Sequence, residues 1–230
     1  TRRCTRSSDG GTRHRSVREA GKEPHVGEEN GLREYRGKRR FGRTAEPAGR
    51  RASAEGGQAR FVVQIHDAST LHFDFRLQVA DVLKSWSVPK GPSADPSDKR
   101  LAVPTEDHPL EYEDFEGVIP EGEYGGGTVI VWDRGTYEPL SHDRAGRPVD
   151  FGESLARGHA RFRLHGAKLR GEYALTRFRG GKDRDEQEAW LLVKTAGGGG
   201  RGHGTPDPRR ARSARTGRTL ARVAAEGRGA

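Results

Sequence analysis

The sequence predicts an all-β, mostly antiparallel fold: a small β-barrel with one or two short helices and disordered basic tails. Seven segments between residues 34 and 195 alternate apolar and polar side chains, and each is bounded by Gly, Pro, Asp or Ser. Their spacing favours a barrel or a sandwich. The two ends are basic: residues 1–60 have 16 basic and 8 acidic side chains, and residues 196–230 have 8 basic and 2 acidic ones. The middle, 61–195, is acidic, with 18 basic and 23 acidic side chains. With only 31% hydrophobic residues overall, the core must lie in the middle.

The predicted elements follow in chain order. Residues 1–33 lack apolar periodicity and are expected to be disordered, 34–195 to form the folded domain, and 196–230 to be a Gly/Arg-rich flexible tail. Strands are predicted over 61–66, 71–77, 82–88, 127–133, 159–165, 171–178 and 188–194. Asp150 and Glu153 form a capping box for one helix that ends at Gly158 and caps the barrel. Residues 219–225 form at most a short helix that is too short to be stable alone.

Composition also limits the cellular setting. Cys4 is the only cysteine, so no internal disulfide can form and an oxidising compartment is not indicated. No apolar run has the roughly 18 residues that a membrane span needs, and no secretory signal is visible. We therefore expect a soluble, cytoplasmic protein without a membrane partner.

One face of the segment 71–77 carries groups that can do chemistry. Strict alternation places its four apolar residues on one side and His72, Asp74 and Arg76 on the other. Residues two apart on a strand lie about 6.5–7 Å apart, so an imidazole and a carboxylate can lean onto one metal ion. Taken singly, each has a plainer interpretation, a solvated histidine or an Asp–Arg ion pair.

The preceding strand ends at His66, and the intervening turn predicts an antiparallel hairpin. In one register His66 lies opposite His72 and Gln64 opposite Asp74. In the other, His66 lies opposite Leu71 and falls on the apolar face. The first register is favoured because it alone gathers the bulky apolar residues on one side. It yields a two-histidine, one-carboxylate set suited to Mn, Fe, Zn or Co.

Two further stretches offer partners for an anion. Lys90 stands in a loop bounded by Pro and Gly, and Arg100 follows shortly after. Glu106, His108 and Tyr112 then occur among acidic neighbours. A metal beside such groups suits phosphoryl chemistry, since the cations stabilise charge that grows in the transition state. The plainer alternatives are solvated cations and a half-buried tyrosine.

The order of these motifs resembles a known family. The runs are Gln64-x-His66-x5-His72-x-Asp74-x-Arg76-Leu77, Ser85-Trp86-x-Val88-Pro89-Lys90-Gly91-Pro92, Lys99-Arg100-Leu101-Ala102, Glu106-Asp107-His108-Pro109-x-x-Tyr112 and Phe115-Glu116-Gly117-x-Ile119-Pro120-x-Gly122-x-Tyr124-Gly125. Over about residues 33–195 they strongly resemble the 3′-phosphoesterase module of bacterial DNA ligase D. The segment from Tyr35 to Phe41, with Thr44, Glu46 and Pro47, is similar to the family's N-terminal arm. The family commonly has an acidic residue where Arg40 stands.

The resemblance implies a Mn-dependent enzyme, with other divalent transition metals as alternatives. It would remove a 3′-terminal ribonucleoside and then the remaining 3′-phosphate, leaving a 3′-hydroxyl for repair. The implied metal ligands are His66, His72 and Asp74. The implied phosphate contacts are Arg76, His108, Lys90 and Arg100, with Tyr112 supporting the phosphate or the metal-bound water and Gln64 and Glu106 supporting the site from behind.

The resemblance also implies partners: DNA 3′ ends on a primer-template or with a terminal ribonucleotide, and the ligase, polymerase and Ku of bacterial end joining. A monomer located with the nucleoid is expected. Ligase and polymerase modules do not fit in the remaining residues, so a free-standing version or a fragment is expected.

Two other functions compete. An Fe(II) oxygenase also uses an H-x-D motif on a β-barrel, with His108 or His165 as its third ligand. A non-catalytic DNA-end-binding module would instead take its affinity from the basic tails.

Overall fold

The computed structural model describes residues 1, 31–49, 57–179, 188–195, 205 and 207–227. Most of the stretch expected to be disordered, residues 2–30, lies outside these ranges, as does the glycine-rich stretch 196–204. None of the helices in the described part of the chain has the length and hydrophobicity that a membrane span requires.

The described residues contain ten strands and three short helices. The strands are β1 Arg60–Asp67, β2 Leu71–Val79, β3 Val82–Val88, β4 Lys99–Pro104, β5 His108–Pro109, β6 Gly117–Ile119, β7 Gly127–Pro139, β8 His159–Gly166, β9 Arg170–Arg179 and β10 Ala189–Lys194. The helices are α1 Arg33–Gly37, α2 Phe151–Ala156 and α3 Leu220–Gly227, with a 3-10 helix at Leu110–Asp114. All seven predicted strands are present.

Eight of the strands close into an antiparallel barrel. The order is β1-β2-β3-β4-β10-β9-β8-β7, and β7 pairs back onto β1. Closure leaves these strands without a free edge, so the predicted barrel is confirmed. Strand β4 was not predicted because, of its six residues, only Ala102 is buried and the alternation is therefore weak.

The barrel interior is an apolar core built from one face of each strand. On β1 and β2 it takes the alternate residues, such as Phe61, Val63 and Phe75. Helix α2 packs against β8, and its Phe151 and Leu155 are buried in this core. The Asp150 carboxylate accepts a hydrogen bond from the Glu153 amide at 2.9 Å, which confirms the predicted cap.

A second, smaller core lies on the outer face of β1. Val62 points outward there and packs with Leu32, Tyr35 and Tyr112 among others. We call residues 31–49 and 105–119 the roof, because they cover this outer face. The functional side chains of β1 and β2 alternate with interior residues and therefore lie between the barrel wall and the roof.

Residues 207–227 pack on the barrel, whereas a flexible tail was expected over 196–230. Helix α3 lies against β6 and β7, and Leu220 and Val223 are buried. The Ala214 amide donates to the Val131 carbonyl at 2.8 Å, and Arg218 pairs with Glu116 at 3.1 Å. A helix of eight residues is marginal alone, and burial of its apolar side against the barrel supplies what it lacks.

Candidate metal centre and active site

His66, His72 and Asp74 meet on the outer face of the β1–β2 hairpin. His66 pairs with His72 and Gln64 with Asp74, which confirms the favoured register. One ligand atom from each of the three side chains lies within 4.8 Å of the others. Asp74 is central, since its Oδ2 lies 3.8 Å from His66 Nδ1 and its Oδ1 3.6 Å from His72 Nε2. One ion can therefore be reached by all three groups.

Backbone carbonyls orient both imidazoles toward that shared point. His66 Nε2 donates to the Gly125 carbonyl at 2.8 Å, which leaves Nδ1 as the ligand atom. His72 Nδ1 donates to the Thr70 carbonyl at 2.8 Å, which leaves Nε2. Hydrogen bonds of this kind fix the tautomer of metal-binding histidines. Burial lowers the pKa of His66 although Asp74 opposes the shift, so its ring is neutral as a ligand must be. The three groups fit a divalent transition metal.

Arg76 brings a buried positive charge beside this centre. Its NH2 donates to Asp74 Oδ2 at 3.0 Å, its Nε to Gln64 Oε1 at 2.8 Å and its NH1 to Ser85 Oγ at 2.8 Å. The guanidinium also stacks over the Tyr112 ring at 4.9 Å. Arg76 is therefore held in one orientation. Of the three side chains that accept its hydrogen bonds, only the Asp74 carboxylate carries a charge that can offset its positive charge.

Gln64 ties the hairpin to the roof. Its side-chain nitrogen donates to the carbonyls of Tyr112 and Phe115, both at 3.0 Å, while its oxygen accepts from Arg76. The amide orientation is thus fixed by three bonds. Gln64 therefore connects Arg76 to the backbone of the roof.

His108 lies between two guanidinium groups. Its Nδ1 lies 2.9 Å from Arg76 NH1 and 2.8 Å from the Glu106 carbonyl, and its Nε2 lies 3.3 Å from Arg39 NH2. Burial first, and then the charges of Arg76 and Arg39, hold the pKa of His108 well below its usual range. The ring is therefore neutral at physiological pH.

A buried ion-pair network in the roof encloses the site. Arg39 donates from Nε to Glu46 at 2.8 Å and from NH1 to Glu106 at 2.9 Å. Glu106 also receives Lys38 Nζ at 3.2 Å. Burial raises the pKa of Glu106, but the bonds from Arg39 and the nearby positive charges outweigh it and leave that pKa below its usual value. The network joins the arm 31–49 to the 105–119 part of the roof.

Tyr112 belongs to this network by its hydroxyl. The hydroxyl donates to Glu46 Oε1 at 3.0 Å, and the ring packs edge-on against His108 at 4.7 Å between centroids. Burial, followed by the charge of Glu46, raises the pKa of Tyr112 well above its usual value. The structure thus brings the Tyr112 ring to Arg76 and its oxygen to the arm.

The two remaining predicted cations lie on the β3–β4 side. Lys90 is exposed two residues after Val88, which pairs with Phe73 between the two β2 ligands. Within the described residues Lys90 has no ion pair. Arg100 NH2 donates to Asp98 at 2.7 Å, so it is already partnered.

Sequence reasoning missed the contacts made by Arg39, Glu46 and Ser85. For Ser85 a signal existed, because continuing the strand pairing through the turn at residues 80–81 places it opposite Arg76. Arg39 lies 67 residues from its partner Glu106, and Glu46 lies 66 residues from its partner Tyr112. Alternation within one strand carries no information about such contacts.

Comparison with known proteins identifies the domain. Residues 64–177 match the family described as the DNA Ligase D 3′-phosphoesterase domain. The chain belongs to this phosphoesterase family. It is 51% identical over 168 residues, 73% of the chain, to the multifunctional non-homologous end joining protein LigD of Pseudomonas aeruginosa. It is 43% identical over 149 residues, 65% of the chain, to the non-homologous end joining DNA repair protein LigD of Mycobacterium tuberculosis.

The aligned part is a small fraction of those relatives. It covers 19% of the Pseudomonas protein and 18% of the Mycobacterium protein. Membership of the phosphoesterase family makes the domain a hydrolase by homology.

The geometry of this phosphoesterase domain disfavours the oxygenase alternative. That alternative needs His108 or His165 as third ligand, but His165 bonds to Glu138 at 3.1 Å and His108 is enclosed by the two arginines. His66, which the oxygenase would leave idle, is the residue that joins His72 and Asp74.

Proposed function

We propose that the domain is a metal-dependent DNA 3′-end-processing phosphoesterase. It removes a 3′-terminal ribonucleoside by phosphodiester hydrolysis and then the remaining 3′-phosphate by phosphomonoester hydrolysis. The product is a 3′-hydroxyl end. The observation that carries the proposal is the convergence of His66, His72 and Asp74 on one point with Arg76 bonded to the same carboxylate.

His66, His72 and Asp74 would hold the metal, and we propose Mn²⁺ as the ion, with other divalent transition metals as substitutes. A divalent ion bound there polarises a phosphate oxygen and lowers the pKa of water at the site. The two carbonyl-bound imidazoles need no rearrangement to serve as ligands, because their ligand atoms already face Asp74.

Arg76 and His108 would bind the scissile phosphate. A guanidinium has five N–H donors, and three of those of Arg76 bond to Gln64, Ser85 and Asp74. NH2, the nitrogen that bonds to Asp74, has a second N–H, which can donate to a phosphate oxygen. Because this charge is fixed by the bonds behind it, it stabilises the transition state without reorganising.

Gln64, Glu106 and Tyr112 would act through these groups. Gln64 holds Arg76, Glu106 fixes His108 through its backbone carbonyl, and Tyr112 supports Arg76 with its ring. Lys90 and Arg100 would bind phosphates of the retained strand on the β3–β4 side. The retained strand carries one negative charge per nucleotide, so cations are the groups that suit it.

The cellular setting is also part of the proposal. We propose that the substrate is a primer-template or a ribonucleotide-terminated DNA 3′ end in bacterial end joining. Ku, ligase and polymerase activities would be the partners, in the cytoplasm at the nucleoid, with the domain acting as a monomer. The end-joining names of the two relatives support this assignment.

The test is hydrolysis of two primer-templates, one ending in a ribonucleotide and one in a 3′-phosphate. With Mn²⁺ the protein should shorten the first and dephosphorylate the second, and chelation by EDTA should stop both. His72→Ala and Asp74→Ala should lose activity, whereas His165→Ala, which changes a histidine bonded to Glu138 away from the site, should keep it. DNA binding without turnover under any divalent metal would support the end-binding alternative instead.

A further inference from the structure

Tyr124 is a half-exposed aromatic residue beside the metal centre to which the proposed function gives no role. It is 47% exposed, one of the few large hydrophobic side chains at the surface of the described residues. It directly precedes Gly125, whose carbonyl holds the His66 ring at 2.8 Å. Consecutive Cα atoms are about 3.8 Å apart, so the ring starts within a short distance of the metal ligand.

Contacts from the arm fix the Tyr124 ring. Lys38 Nζ lies over the ring at 4.8 Å from its centroid, and the Arg39 guanidinium lies at 5.4 Å. The hydroxyl donates to Glu106 Oε2 at 3.4 Å and receives Lys38 at 3.3 Å. The ring is therefore held in place while about half of the residue stays open to solvent, as in a preformed stacking surface.

The charged groups that neighbour Tyr124 are paired with one another. Four cations of the arm are matched there by four carboxylates through direct ion pairs; the cations are Lys38, Arg39, Arg40 and Arg43, and the carboxylates are Glu34, Glu46, Glu106 and Glu123. Arg40, where the resembled family is commonly acidic, takes part by binding Glu123 through two nitrogens at 2.9 and 3.0 Å. This side of the site therefore offers an aromatic surface whose neighbouring charges are already paired.

The opposite side of the metal centre differs in charge. Sheet order runs β7-β1-β2-β3-β4, with the metal ligands on β1 and β2. Tyr124 lies in the loop that leads into β7, and Lys90, for which the described residues show no ion pair, follows β3. The two ends of the substrate also differ. The retained strand carries further phosphates, while the departing nucleoside carries none beyond the scissile one.

We propose that Tyr124 is the platform on which the departing 3′-terminal ribonucleoside stacks. The inference rests on the proposed function and adds a binding residue to it. A base without a further phosphate suits a neutral aromatic surface, and the retained strand suits the side of Lys90. Tyr124 then contributes to phosphodiester hydrolysis alone, because a strand ending in a 3′-phosphate has no nucleoside to place there.

The kinetic test compares the two substrates on Tyr124→Leu and Tyr124→Phe in the Mn²⁺-loaded protein. Tyr124→Leu should raise KM for the ribonucleotide-terminated strand about tenfold, the size of a lost base stack. For the 3′-phosphate strand kcat/KM should change by less than about twofold. Tyr124→Phe keeps the ring and should stay close to wild type on both. Unchanged diester KM in Tyr124→Leu, or an equal loss on both substrates, would overturn the proposal.

A fluorescence test separates this inference from the proposed function. A primer-template whose last nucleotide is ribo-2-aminopurine is mixed with the Mn²⁺-loaded protein in a stopped-flow instrument. Stacking on Tyr124 should quench the emission at once, and release of the nucleoside should then raise it. A quench without the later rise would uphold stacking and reject hydrolysis. An equal quench in Tyr124→Leu and wild type would reject the platform, whatever the turnover.

Discussion

Arg76 is the side chain on which most contacts of the site converge. Lysine keeps the charge but lacks the planar fork that reaches Gln64, Ser85 and Asp74 together. Arg76→Lys should therefore leave buried groups unpaired and lower the free energy of unfolding by about 1–3 kcal/mol in urea titration. Phosphoesterase activity should fall with it.

The matched control is Arg134→Lys. Arg134 pairs with Asp114 near the surface, where an ion pair contributes little. Its unfolding free energy should change by less than about 0.5 kcal/mol. If Arg134→Lys and Arg76→Lys lowered the free energy of unfolding equally, the buried network around Arg76 would not stabilise the fold.

His108 should make stability depend on pH. Burial and two neighbouring guanidinium groups lower its pKa in the folded state. Below about pH 6.5 His108 becomes protonated in the unfolded chain but stays neutral in the folded chain. The free energy of unfolding therefore falls as the pH falls. The contribution is at most about 1.4 kcal/mol per pH unit and is fully retained above that range.

The measurement is urea unfolding of the metal-free protein from pH 7 to pH 5.5. The free energy of unfolding should fall less steeply with pH in His108→Asn than in wild type, because the variant lacks an imidazole that is protonated only in the unfolded chain. His66, whose pKa burial also lowers, leaves part of the decline in place. Parallel pH curves for the two proteins would contradict the assignment of a lowered pKa to His108.

At the level of elements, the hairpin could be predicted from the sequence and the roof could not. Period-two alternation in β1 and β2 defines which side chains face inward, and only one register satisfies both strands. That placed His66, His72 and Asp74 together. The bonds of Arg39 to Glu46 and Glu106 depend on how separate segments dock, and no local pattern encodes docking.

Helix α3 shows the same limit at the other end of the chain. Its apolar residues indicated a short helix, but its partners β6 and β7 lie about a hundred residues earlier. Leu220→Ala should lower the free energy of unfolding by about 2–5 kcal/mol, as for other buried leucines. Leu101→Ala, at a position 43% exposed, is the control and should have a much smaller effect in the same urea titration. Similar small effects would mean that α3 does not pack on the barrel in solution.

For the whole molecule, the closed barrel decides where the chemistry can lie. Its interior is filled with apolar side chains, so polar groups gather on the outer face of β1 and β2. The roof then encloses that face and supplies Arg39, Glu46 and Glu106. The central stretch 61–195 is acidic overall, so the proposed phosphate binding would depend on a few placed cations rather than on a broad basic surface.

The central claim is that His66, His72 and Asp74 bind one divalent ion, and a Mn²⁺ titration followed by electron paramagnetic resonance tests it most directly. The signal of free Mn²⁺ should be suppressed until one ion per chain is bound in wild type and in His165→Ala. In His72→Ala and Asp74→Ala it should appear from the first additions. Stoichiometric binding that persists in both of these variants would contradict the claim.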